Sequence, residues 1–80
     1  MHGDKFKALS KKGKYREVQD HGNHIANRYY QSYEIHLYQV RDLLVEVWWK
    51  LGLNQIYWIE VVGRDRVELY ADEVKLNLKL

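Results

Sequence analysis

Residues 33–62 alternate between two sets of side chains in three successive runs, and both sets are rich in apolar residues. Tyr33, Ile35 and Leu37 alternate with Glu34, His36 and Tyr38. Leu43, Val45, Val47 and Trp49 alternate with Leu44, Glu46, Trp48 and Lys50. Tyr57, Ile59 and Val61 alternate with Ile56, Trp58, Glu60 and Val62. A period of two is the signature of β-strands. The odd-numbered positions are almost wholly apolar, so they are assigned to the core face. The even-numbered positions still carry Leu44, Trp48, Ile56, Trp58 and the neighbouring Tyr38. One helical layer covers one face of a small sheet, so the second face needs another cover or a partner.

Register follows from face assignment, because a one-residue slip exchanges the faces. Keeping odd opposite odd calls for three-residue connections, Val40–Arg41–Asp42 and Leu51–Gly52–Leu53. Leu37 then opposes Val45, Ile35 opposes Val47, Val45 opposes Ile59 and Val47 opposes Tyr57. His36, Glu46 and Trp58 fall in one row on the second face. A two-residue Arg41–Asp42 turn breaks that row.

The flanks complete an α+β fold: a three- or four-stranded antiparallel meander between two short helices. Residues 24–31 make a first strand, with Ile25 and Tyr29 on one side and Ala26, Arg28 and Tyr30 on the other. Gln31–Ser32 turns it into the next. Asp4 caps a basic helix within residues 1–12, with Phe6 and Leu9 on one face and Gly13 as its stop. Residues 14–20 fit a helix or a strand equally. His21–Gly22–Asn23–His24 has turn composition. Asp65 and Glu68 have capping-box spacing, and Val67, Tyr70, Ala71 and Val74 form a helical stripe, giving a helix over 66–74. Residues 74–80 also alternate as a strand would. Eighty residues form one domain with no internal linker.

A chain this size buries about 60% of its unfolded surface, so its own core is small. No cysteine is present to staple it, which excludes disulfides and thiolate metal sites and fits a reducing compartment. No apolar run approaches the roughly 18 residues of a membrane helix, and the N-terminal residues lack the apolar stretch of a secretory signal. The expectation is a soluble, cytoplasmic protein without membrane contact. Net charge is +2. The basic excess lies in the first half, at Lys5, Lys7, Lys11, Lys12, Lys14 and Arg16.

Four features bear on function. His21 and His24 have the spacing of a helical metal pair, but their glycine-containing context reads as a solvated turn and no third ligand is spaced with them. No metal and no cofactor is expected. His36 and Glu46 in one cross-strand row offer an acid–base pair, against the plain reading of ordinary cross-strand neighbours. Lys11, Lys12, Lys14 and Arg16 with Tyr29, Tyr30, Trp48 or Trp58 suit single-stranded nucleic acid, which needs cations and stacking rings. Against it, Glu34, Glu46 and Glu60 share the stacking face and repel phosphate. Leu44, Trp48, Ile56, Trp58 and Tyr38 suit a protein interface, the other outcome being a second intramolecular cover.

A helix, then Gly13, then Gly22–Asn23–His24 entering a strand resembles the small bacterial mRNA-cleaving toxins of the HicA type. The likeness covers about residues 5–25. It implies a fold related to double-stranded-RNA-binding domains and a catalytic role for His24. Asn23 stands where that family has serine, and the aromatic meander has no counterpart there.

The reading reached from the residues is an interaction module that self-associates through its aromatic face, as a homodimer or with another protein; no motif in the chain names a reaction, which leaves enzyme activity open and weighs against it. The alternative is an RNA-binding protein or toxin-like ribonuclease with His24 as acid or base.

Overall fold

The computed structural model describes residues 3–70. They form an α+β fold with two N-terminal helices, α1 (Gly3–Lys7) and α2 (Lys11–His21). Four strands follow, β1 (Gly22–Tyr30), β2 (Tyr33–Val40), β3 (Leu43–Lys50) and β4 (Gln55–Val62), and then a 3₁₀-helix (Arg64–Tyr70). The strands pair antiparallel in the order β1-β2-β3-β4. No helix among the described residues is long and apolar enough to cross a membrane.

The N-terminal segment breaks earlier than its composition suggests. Ser10 caps α2, its hydroxyl accepting from the Gly13 amide at 3.1 Å. A capping serine satisfies one of the free amides of the first turn. Gly13 therefore sits inside a helix rather than ending one, and residues 14–20 are helical. Phe6 from α1 and Val18 from α2 are buried against Val40, Val45, Val47 and Ile59. This is the main core.

His21 ends α2 and Gly22 begins β1 with no turn between them, contrary to the turn expected there. The Gly22 amide donates to the Val18 carbonyl as the helix closes. A Cβ at Gly22 would press into that same carbonyl. The direct passage from helix to strand therefore depends on a residue without a side chain.

Register differs from expectation in β2. The β2–β3 connection is the two-residue turn Arg41–Asp42, so Val40 opposes Leu43, Tyr38 opposes Val45, His36 opposes Val47 and Leu37 opposes Glu46. Arg41 takes φ +57°, the left-handed backbone that tight hairpins require at a turn position. The Gln31–Ser32 turn does the same with Gln31 at φ +53°. Even-numbered residues of β2 thus share the helix-covered face with odd-numbered residues of β3. The row His36–Glu46–Trp58 does not exist: His36 is on the helix-covered face and Glu46 on the other.

The β3–β4 connection spans Leu51–Asn54 and not three residues. Tyr57 is an extra residue in β4 at a bulge, leaving Trp48 opposite Trp58 and Trp49 opposite Ile56. Val47 consequently opposes Ile59, and Val45 opposes Val61. The extra residue puts Ile56 and Trp58 on opposite faces of the sheet and leaves residues 58–62 in plain alternation. Val45, Val47 and Ile59 therefore remain in the main core.

The second face is half covered. The 3₁₀-helix lays Val67 and Tyr70 over Ala26 and Leu37, with Leu44 and Val62 at the margin. Leu37, expected beside Val45, belongs to this second cluster because of the β2 register. The C-terminal helix expected over 66–74 is a 3₁₀-helix through Tyr70, and residues 71–74, with the tail to Leu80, lie outside the described residues.

Candidate functional site

The bare half of the second face is aromatic. It lies at the end of the sheet where the β1–β2 and β3–β4 turns meet, held together by the Leu51 amide donating to the Ser32 carbonyl at 2.9 Å. Tyr30 meets Trp48 at 6.1 Å between ring centres, Trp48 meets Tyr33 at 5.5 Å, and Tyr33 meets Tyr57 at 5.0 Å. The first two contacts are edge-to-face, a geometry rings prefer for electrostatic reasons. Each ring comes from a different strand, so the rings form a strip across the sheet. Tyr30, Tyr57 and Trp58 are each about half exposed.

Cations line this strip. The Arg28 guanidinium lies 5.5 Å from the Trp48 ring centre and 5.4 Å from that of Tyr70. Lys50 Nζ lies 4.7 Å from the centre of Tyr33 and donates to Ser32 Oγ at 2.9 Å. Lys11 Nζ reaches round the β4 edge and donates to the Ile56 carbonyl at 3.0 Å. Lys11, Lys50, Tyr33, Tyr57, Leu53 and Gln55 line one groove of about 310 Å³ at the end of the strip.

The glutamates do not oppose phosphate as the sequence suggested. Glu34 pairs with Tyr29 and Trp49 in the register, which places it on the helix-covered face. Glu46 is fully buried. Its oxygens accept from Arg66 Nη1 at 2.6 Å, Arg28 Nη2 at 3.2 Å, Trp48 Nε1 at 3.2 Å and the Tyr70 hydroxyl at 2.5 Å. A buried carboxylate requires this degree of compensation. On the second face Glu60 stays partly open, accepting from Trp58 Nε1 at 2.7 Å with Arg66 3.9 Å away. Burial, then the hydrogen bond and the charge of Glu46, push the Tyr70 hydroxyl well above the ordinary phenol range, with Arg28 opposing.

A separate polar cluster lies on the helix-covered face at the β1–β2 side. His24 Nε2 is 3.2 Å from His36 Nδ1 and 2.5 Å from Asn27 Oδ1. Glu34 Oε2 lies 3.2 Å from His36 Nε2. Tyr38 packs edge-on to His24 at 5.3 Å. Burial lowers the His36 pKa; the Glu34 charge acts against it, and His24 adds to it. Burial raises the Tyr38 pKa, with Tyr15 contributing.

The structure divides the five residues expected to form one interface. Leu44, Trp48 and Trp58 share the second face, while Tyr38 and Ile56 pack against the main core on the other. Of the basic residues expected to hold phosphate, Lys11 reaches the aromatic strip. Lys12, Lys14 and Arg16 lie on α2, over the opposite face. His24 meets His36, which lies 12 positions away, and not His21. Sequence reasoning missed Arg28 and Lys50 as partners of the rings. The signal available was Arg28 sharing a side of β1 with Tyr30.

No family model matches the chain, and neither a curated protein nor a solved structure matches it.

Proposed function

We propose that the protein binds single-stranded nucleic acid, RNA in the first instance, across the bare half of its second sheet face. The observation that carries this reading is the strip Tyr30–Trp48–Tyr33–Tyr57 running into a groove flanked by Lys11 and Lys50. Bases stack on rings from successive strands while ammonium groups hold the phosphates between them. Each stacked base contributes roughly 1–3 kcal/mol by this mode. Both lysines are already oriented by hydrogen bonds to Ile56 and Ser32, so binding costs little side-chain ordering.

Self-association through the same face is the second reading, favoured by Trp58 at 52% exposure. Its weakness is charge. Arg28, Arg66, Lys50 and Lys11 border the strip against Glu46 and Glu60. An isologous contact sets this cationic surplus against itself. An anionic strand complements it.

Titration of a labelled single-stranded RNA oligonucleotide, followed by anisotropy at several salt concentrations, tests the proposal. Binding should weaken steeply with salt, because counterions are released. Replacing Lys11 and Lys50 with Glu should weaken it for all sequences alike and flatten the salt slope by about 0.7 per lysine. No binding at low salt, with a dimer mass by light scattering, would favour self-association instead.

A further inference from the structure

The two histidines on the helix-covered face present a relationship that nucleic-acid binding does not use. His24 Nε2 and His36 Nδ1 approach to 3.2 Å. Two imidazole nitrogens bound to one tetrahedral zinc at about 2.0–2.1 Å are about 3.3 Å apart. The separation observed is that of two ligands facing one ion. His36 also carries the usual outer partner of a metal-binding histidine. Its far nitrogen, Nε2, meets Glu34 Oε2 at 3.2 Å. His36 Nε2–H donates to that carboxylate, which fixes the tautomer and leaves the Nδ1 lone pair directed at His24.

We propose that His24 and His36 form an open, two-histidine site for a divalent transition metal of the zinc class, oriented from behind by Glu34. Imidazole is the ligand such ions share. The described residues contain no group of three or more His, Cys, Asp or Glu placed to hold an ion, so the remaining positions fall to water. With two protein ligands the site is open and exchangeable, whereas a closed structural site takes four. Asn27 Oδ1, 2.5 Å from His24 Nε2, is too close to be a tetrahedral co-ligand. It accepts the His24 Nε2 proton in the metal-free protein, and the ion replaces that bond. Metal binding therefore moves the His24 proton to Nδ1. The site stands on β1 and β2, rigid elements paired through Asn27 and His36. A depression of about 450 Å³ lined by Glu34, His36 and Trp49 lies beside it, on the Glu34 side of His36.

Zinc chloride and nickel chloride, each titrated into the full chain, test this by calorimetry together with the histidine ring signals in nitrogen-correlated NMR spectra. One equivalent should bind, with the His24 Nε2 and His36 Nδ1 signals moving and those of His21 unmoved. His24→Ala and His36→Ala should each abolish the binding. Glu34→Gln keeps both ligands and should weaken it roughly 10- to 100-fold. Circular dichroism checks that each variant is folded. Binding that persists in folded His24→Ala, or unmoved His24 and His36 signals in the unaltered chain, would overturn the proposal.

Discussion

The Arg66 guanidinium lies 2.6 Å from the Glu46 carboxylate, which is fully buried at the centre of the second sheet face. This contact ties the 3₁₀-helix to β3. It also marks the line where covered sheet gives way to bare aromatic sheet. Arg28 and the Tyr70 hydroxyl reach the same carboxylate from β1 and from the end of the 3₁₀-helix. Removing one member of such a cluster leaves opposite charges without compensation. Glu46→Ala should destabilise the fold by about 3 kcal/mol in urea unfolding. Hydrogen exchange should show the 3₁₀-helix opening first, because β3 keeps its ladders to β2 and β4.

Tyr70 makes stability depend on alkaline pH. Its hydroxyl titrates above the ordinary phenol value, because of burial first and Glu46 second. A group with a raised folded pKa contributes its full stability below the unfolded pKa. That contribution is lost as pH rises towards the folded value, since the unfolded chain releases its proton first. Unfolding free energy should therefore fall above about pH 10. Tyr70→Phe should be less stable at neutral pH and should show a shallower alkaline decline. An equally steep decline in Tyr70→Phe would assign it to other groups.

Gly22 joins α2 to β1 without a linker. Gly22→Ala drives a methyl group into the Val18 carbonyl. The strand must shift or the last turn of α2 must open. The expected cost is about 1–3 kcal/mol, as for an overpacked position. Gly52→Ala is the control for crowding, since a Cβ there meets nothing within 4 Å. At φ +86° it carries backbone strain alone. A smaller loss in Gly22→Ala than in Gly52→Ala would contradict the close approach.

The period-two runs of residues 33–62 mark the strands, and their alternation alone identifies Val45, Val47 and Ile59 as main-core residues. The faces of β2 were not legible in the same way. Ile35, Leu37 and Val40 are all fully buried although they do not share one face. Buried apolar side chains lie on both faces of that strand, so apolar spacing does not select one. The choice is made by the Arg41–Asp42 turn, and nothing in Arg41 announces a positive φ as glycine would. The bulge at Tyr57 is silent for the same reason. The aromatic strip was half visible, because Trp48 and Trp58 alternate with core residues. Its charge was misjudged: Glu46 reads as an exposed carboxylate until Arg28 from β1 and Arg66 and Tyr70 from the 3₁₀-helix converge on it. The His24–His36 contact is a long-range meeting of strands, and spacing along the chain carries no trace of it.

The three tryptophans provide the most direct test of nucleic-acid binding by the aromatic face. Trp48 and Trp58 stand opposite each other on that face, while Trp49 packs edge-on to Tyr15, 5.9 Å away, beneath α2. Their indole N–H groups give separate signals in a nitrogen-correlated NMR spectrum, followed as a short single-stranded RNA is added at low salt. The prediction is that the Trp48 and Trp58 signals shift progressively, the Trp49 signal stays in place, and Tyr33→Ala reduces the shifts at equal RNA concentration. Three unmoved signals, or a shift confined to Trp49, would contradict it.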